Sequence, residues 1–407
     1  MNSEKMAEES RTYLARFLVA FKWFGLPLMV AYLIFCYIDM IDLPPEIHFS
    51  FKDHVKKAGY SFEEHYVATE DGYILSLYRI LGKKKPRKSP VLLVHGLSNS
   101  AYSFILNQCT KAPAFVLADN GYDVWLANLR GNFLSRGHKW MNATVDEAYW
   151  DFTFQDIILH DLPTFISFIK NTTKAEKVAV LGHSQGAAAV LWMLAYTPEM
   201  SEHVNLGVLI ATPGGIINTE SIYIWLLANP IYHELCRLAG INVISDWSDD
   251  LFFAKFINSF PNFSSFLASD LYDIELSGET IDHLGIYAHK MRGGTSLKNL
   301  LFWKQVKDNY LVHPKLYDYG REGNLEEYGT EEPPVVNFKN IRTNIAVFNG
   351  KYDKAVPEID SQTLKESLNQ EYLVHYNDKY NQDHGGFIFG CDLSYFKEVL
   401  ELLDKYK

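Results

Sequence analysis

The chain holds 407 residues, carries 38 Lys and Arg against 49 Asp and Glu for a net charge of -11, and is 48% hydrophobic. That length suits one large α/β domain with an inserted elaboration. The acidic balance, with a single basic run from Lys83 to Lys88 that holds no aromatic residue, argues against a nucleic-acid partner. Four cysteines, Cys36, Cys109, Cys236 and Cys391, are too few for a disulfide scaffold, and none stands in a CxxC metal spacing.

Met1 to Arg16 is polar, and from Phe17 to Ile38 only Lys22 is charged. A membrane-spanning helix needs about 20 residues, whereas the apolar core of a signal peptide needs only about 7–15. No small-x-small cleavage site follows, because Leu33 to Ile38 is bulky throughout. The segment 1–44 therefore reads as a cytosolic stretch plus an uncleaved signal anchor, with a cleaved signal peptide as the alternative. Lys5, Arg11 and Arg16 precede the apolar run, and Asp39, Asp42 and Glu46 follow it. Positive residues tend to stay cytosolic, which predicts that the rest of the chain is lumenal or extracellular. Two other outcomes are secretion or lysosomal delivery after cleavage, and a lipid-droplet insertion turned back at Pro27.

Glu64 to Thr69 and Tyr73 to Tyr78, separated by Asp71-Gly72, alternate as the strands of a β-hairpin. Continuous apolar runs follow at Val91 to Val94, Val124 to Ala127, Val178 to Leu181, Val208 to Ala211, Ile345 to Phe348 and Tyr372 to Val374. Unbroken runs of this kind suit strands buried on both faces of a parallel sheet. Helical patterns at Phe154 to Ile169 and Gly186 to Ala195 lie between them, so the class is α/β with an antiparallel start. The alternation stops between Pro213 and Tyr319, in a stretch dense in large apolar residues such as Trp225, Phe252, Phe253 and Trp303. The expected organisation is a core at 45–212, an inserted helical cap at 213–319 and the rest of the core at 320–407.

Gly182-His183-Ser184-Gln185-Gly186 lies between a predicted strand and a predicted helix, which puts Ser184 on the sharp strand-to-helix turn of a nucleophile elbow. The helix start offers free backbone N–H groups to a developing oxyanion. The second donor is expected from the loop after an earlier strand, where Val91 to Val94 runs into His95-Gly96-Leu97. The backbone amides of Leu97 and Gln185 are therefore the expected oxyanion donors, with His95 shaping the loop. An acid should follow a strand beyond the cap. Asp353 sits there, after Ile345 to Phe348, with Asp360 as a competitor read as a solvated or capping carboxylate. A histidine should follow the last strand, which selects His384. His375 falls at the strand end, and the side chain of His183 is expected to point away from the serine. Asp383 is expected to stay in solvent. The arrangement is that of a Ser-His-Asp hydrolase, which needs no metal and no cofactor.

These residues resemble the acid lipases, the group with gastric lipase, lysosomal acid lipase and membrane-anchored steryl ester hydrolases. The likeness runs from about His48 to the C-terminus. It rests on Glu63 to Leu75, on Gly121 to Asn132, on the Gly-His-Ser-Gln-Gly elbow and on Gly294-Thr295-Ser296. It implies an α/β-hydrolase fold, a triad of Ser184, Asp353 and His384, and a neutral-lipid ester, triacylglycerol or steryl ester, taken at a lipid-water interface or membrane. It departs after His384, where Gly385-Gly386-Phe387 replaces Leu-Asp-Phe, and Cys236 has no near neighbour for a cap disulfide. An esterase or thioesterase acting on smaller acyl donors is the alternative, since fold and triad fix the chemistry but not the acyl group. Sequons stand at Asn142, Asn171 and Asn262.

Overall fold

The structure, a computed structural model, describes residues 21–82, 88–107, 110–245, 251–272, 283–309 and 314–407. The basic residues Lys5, Arg11 and Arg16, most of the run from Lys83 to Lys88, and Cys109 lie outside the described residues.

A helix from Phe21 to Asp39 comes first, 19 residues long and apolar enough to cross a membrane. Among its described side chains only Ile38 is buried. The next helix, Phe51–Lys57, begins in a reciprocal cap: Ser50 Oγ accepts from the Asp53 amide at 3.2 Å, and Asp53 accepts from the Ser50 amide at 3.0 Å.

Strands β1 (Ser61–Ala68) and β2 (Tyr73–Leu81) form the expected hairpin, with Ala68 opposite Ile74. The series continues through β3 (Pro90–Val94), β4 (Asp123–Ala127), β5 (Gly137–His138), β6 (Val178–His183) and β7 (Val204–Ile210). Two short strands, β8 (Val243–Ile244) and β9 (Thr295–Ser296), pair with each other, and β10 (Asn344–Gly350) and β11 (Leu373–Tyr380) close the order. The large sheet has nine strands in the order β1-β2-β4-β3-β6-β7-β10-β11, with β5 paired to β2. Pairing is antiparallel from β1 to β4 and parallel from there on.

The continuous apolar runs arise because the central strands are covered on both faces. Val91 and Leu93 pack into one hydrophobic core while Leu92 and Val94 pack into the other. Strand β11 is different. It is an edge strand, half-buried along most of its length, so its polar second half escapes an apolar-run search and it extends well past Val374. The helix expected at Phe154 to Ile169 is also modified. It opens at Phe154–Asp156, widens into a π-helical turn at Ile157–Asp161 and resumes at Leu162–Thr173, where Pro163 lacks the N–H that a regular turn would use.

Between β7 and β10 the described chain is mostly helical. Helices Ile222–Leu227, Leu251–Ser259, Pro261–Tyr272, Leu284–Lys290 and Leu297–Asn309 lie on the side of the strand ends that carries Ser184, and Pro230–Leu238 packs on the first and last of them.

Candidate active site

Ser184 joins β6 to the helix Gln185–Tyr196 with φ 54° and ψ -123°, a backbone conformation disfavoured for a residue with a Cβ. Close packing enforces it. A Cβ on Gly182 would lie 2.4 Å from the amide nitrogen of Ala187, and one on Gly186 would lie 2.2 Å from the carbonyl oxygen of Val94. The Ser184 amide donates to the carbonyl of Ile210 at 2.9 Å, which locks the elbow to β7.

His384 Nε2 is 2.8 Å from Ser184 Oγ, and His384 Nδ1 is 2.9 Å from Asp353 Oδ2. With the carboxylate facing Nδ1, that nitrogen carries the proton and Nε2 is left to accept from the serine hydroxyl. The Asp353 carboxylate is fully buried, and its Oδ1 also accepts from the Val356 amide at 2.7 Å. The two loops meet because the ends of β10 and β11 are stitched together. The Lys351 amide donates to the carbonyl of Tyr380 and the Tyr352 amide to that of Gln382, at 2.8 and 3.1 Å.

Among the described residues, neither the Leu97 amide nor the Gln185 amide has an acceptor within the chain, and both residues line the pocket with Ser184. The Leu97 loop is held from three sides. His95 Nδ1 donates to the carbonyl of Gly96 at 2.9 Å, while its Nε2 accepts from the Leu129 amide at 3.1 Å. Complete burial keeps this ring neutral and pushes its pKa down to about 4. Asn132 Nδ2 donates to the carbonyl of Asn99, and the Gly293 amide donates to that of Ser98 at 2.8 Å. Leu129 to Asn132 and Gly293 to Ser296 thus act as a frame around the site.

Gln185 adds a link that its place in the motif does not announce. Its side-chain oxygen accepts from Asn299 Nδ2 at 3.0 Å and from Trp303 Nε1 at 2.6 Å, tying the elbow to the helix Leu297–Asn309. In the sequence Trp303 stands out only as a large apolar residue of the cap stretch, and Gly294-Thr295-Ser296 only as part of the family likeness.

Ser184, His384, Leu97 and Gln185 line a cavity of about 360 Å³ whose other walls are mainly apolar, including Ile216, Ile224, Phe253, Ile257, Met291 and Val356. The remaining candidates fall elsewhere. Asp360 is not solvated and is not the carboxylate that His384 bonds: it is buried in the helix Glu358–Ser367, accepts from the amide and the side chain of Asn218 at 3.1 and 2.7 Å, and burial raises its pKa. His375 lies inside β11, stacked on Phe348 with ring centroids 4.5 Å apart. Asp383 is half-buried and caps the short helix Gly386–Phe389 through the Gly386 amide at 2.6 Å, because that helix start needs an acceptor. His183 makes its hydrogen bond to the His384 backbone rather than to the serine hydroxyl.

A sequence profile described as alpha/beta hydrolase fold matches residues 89–384, and one described as a partial alpha/beta-hydrolase lipase region matches residues 51–108. The chain is 28% identical to human lipase member J over 85% of its own length and 96% of that protein. It is equally similar, at 28%, to bovine gastric triacylglycerol lipase, over 92% of this chain and 96% of that protein. Human lysosomal acid lipase/cholesteryl ester hydrolase is also 28% identical, over 89% of this chain and 92% of that protein. A soluble variant of monoglyceride lipase from Saccharomyces cerevisiae, solved with a substrate analog, superposes with a TM-score of 0.53 at 14% identity. It covers 90% of this chain and 99% of that one, a likeness of fold.

Proposed function

The chain belongs to the α/β-hydrolase fold family, and from that premise we propose that it is a serine hydrolase of neutral-lipid carboxylic esters, triacylglycerol or steryl ester, with Ser184 as nucleophile. The observation that carries this reading is the relay from Ser184 through His384 to the buried Asp353, at 2.8 and 2.9 Å, on the wall of a largely apolar cavity. The names of the similar proteins, gastric triacylglycerol lipase and lysosomal acid lipase/cholesteryl ester hydrolase, support the substrate class.

The reaction proceeds in two halves. Ser184 Oγ attacks the ester carbonyl carbon while His384 Nε2 takes its proton, and Asp353 stabilises the imidazolium and holds its tautomer. The carbonyl oxygen, now an oxyanion, accepts from the Leu97 and Gln185 amides. Collapse expels the alcohol, which leaves with the proton from His384, and a water then releases the fatty acid by the same steps in reverse. The apolar wall accommodates the acyl chain and keeps water from it.

In the same reading the N-terminal helix is retained as an anchor and the catalytic domain is lumenal or extracellular. The disulfide-bonded state of Cys391 supports an oxidising compartment, and the exposed sequons at Asn142 and Asn171 are open to modification. Protease protection in microsomes with an endoglycosidase shift tests it: a domain digested without detergent and bearing no glycan would place it in the cytosol.

The catalytic reading is tested with a long-chain alkyl phosphonate probe and a panel of trioleoylglycerol, cholesteryl oleate and p-nitrophenyl butyrate. Labelling is expected in the intact protein and not in Ser184→Ala, with hydrolysis of at least one long-chain ester. Turnover of the butyrate alone would move the reading to a small-ester esterase.

A further inference from the structure

The helix Leu251–Ser259 has two working faces. Phe253 and Ile257, one turn apart, line the cavity beside Ser184. On another side of the same helix, Phe252 stacks on Phe35 with centroids 5.5 Å apart, and Lys255 Nζ reaches the Asp39 carbonyl at 2.6 Å and its carboxylate at 3.2 Å. Just beyond the helix, Phe260 meets Tyr37 at 6.3 Å. All three partners belong to the last turns of the N-terminal apolar helix, so a single helix separates the cavity from the membrane-spanning candidate.

This fixes a depth. With a rise of about 1.5 Å per residue, Phe35 lies about 6 Å along the axis from Asp39, toward the bilayer if the helix spans it. Amphipathic helices that lie in a membrane surface sink about 5–10 Å into the boundary between headgroups and acyl chains. On the anchored reading, these contacts with the N-terminal helix put the Leu251–Ser259 helix at interfacial depth.

The neighbouring surface has the composition that such a position requires. Eleven large hydrophobic side chains between residues 217 and 266 are exposed, against seven in the rest of the described chain beyond residue 40. They include Trp225, Ile231, Leu235, Phe263 and Phe266. The helices bearing most of them are contiguous: Leu251–Ser259 packs on Pro261–Tyr272, which packs on Ile222–Leu227, which packs on Pro230–Leu238. A connected apolar surface of this kind is unusual for a protein facing water on all sides.

We propose that these four helices seat in the interfacial layer of the phospholipid leaflet from which the N-terminal helix emerges, so that the cavity over Ser184 receives its ester laterally from the bilayer. The proposal rests on the anchored ester-hydrolase reading above. It also excludes a glycan at Asn262, because Asn262 and Phe266 are four residues apart on one face of the helix Pro261–Tyr272.

The test uses the full chain in phosphatidylcholine vesicles, with Cys36→Ser and Cys236→Ser and a nitroxide on Phe266→Cys or, as the control on the opposite kind of surface, on Val145→Cys. Relaxation by lipid-soluble oxygen is expected to dominate at 266 and relaxation by an aqueous nickel chelate at 145. Nickel dominating at 266, or a glycan on Asn262 in protein from the secretory pathway, would overturn the proposal. A kinetic arm compares Phe252→Asp with Phe252→Leu. The aspartate is expected to lower hydrolysis of trioleoylglycerol embedded in vesicles about tenfold, to leave p-nitrophenyl butyrate within about twofold, and to be rescued by leucine. Equal loss on both esters in the aspartate variant would also overturn it. If the unaltered protein hydrolyses no ester at all, the ester-hydrolase reading fails, and the spin-label depth still decides the docking.

Discussion

His183 Nε2 donates to the backbone carbonyl of His384 at 2.9 Å, so the residue immediately before the serine fixes the loop that carries the histidine opposite it. The ring is buried, and burial together with the neighbouring His384 pushes its pKa down to about 3, which keeps it a neutral donor. If this bond positions the base, His183→Ala should lower kcat about tenfold, the worth of one buried hydrogen bond, with KM changed less than about twofold. His183→Gln, which can still donate, should recover part of the loss. Unchanged kcat in His183→Ala would show the bond to be incidental.

Asp353 and Asp360 make opposite predictions. Asp353→Asn reverses the tautomer of His384 and should cost on the order of 10⁴ in kcat with the fold intact. Asp360 holds Asn218 and touches neither His384 nor the cavity, so Asp360→Asn should retain activity and lower the melting temperature. His375→Ala should likewise remain active, since it lines no part of the cavity. Steady-state kinetics and thermal unfolding on the same three proteins decide the assignment, and an active Asp353→Asn would sink it.

Stability should fall in mild acid. Burial depresses His95 and His54 to about 4 and His183 to about 3, whereas in the unfolded chain each titrates near 6.5. Between those values the unfolded state binds more protons. The contribution is therefore complete above about pH 6.5 and is lost as the pH drops toward about 4, at up to about 1.4 kcal/mol per pH unit for each fully buried ring. Melting temperatures measured from pH 7.5 to 4.5 should decline across that window, and His95→Asn should make the decline shallower. A flat profile would contradict the neutral assignments.

Arg130 is buried between Asp161, at 2.8 Å from its Nε, and Asp71, at 2.7 Å from its Nη1, with its guanidinium over the ring of Tyr73. Asp161 also accepts from the Arg130 amide at 3.0 Å, which pins the loop that carries Leu129 and Asn132 beside the site. Removing one partner leaves a charge buried, so Asp161→Asn should cost about 3–5 kcal/mol in denaturant unfolding. A cost below about 1 kcal/mol would mean that water reaches the guanidinium.

The parts legible in the sequence were those set by consecutive residues. The elbow is one: a buried strand, two glycines that admit close backbone approach and a helix start are all written within Val178 to Ala195. The central strands are another, because burial on both faces demands unbroken apolar runs. The hydrogen bond between His384 and Ser184 spans 200 positions. Fold order narrowed its partners to a few residues, yet only the stitched ends of β10 and β11 decide that Asp353 rather than Asp360 faces His384. The second half of β11 was hidden because an edge strand needs no apolar run. Phe252 and Phe253 looked alike as neighbours in an aromatic stretch. Helical geometry turns Phe253 to the cavity and Phe252 to Phe35, a division that exists only once the N-terminal helix has packed against the other side.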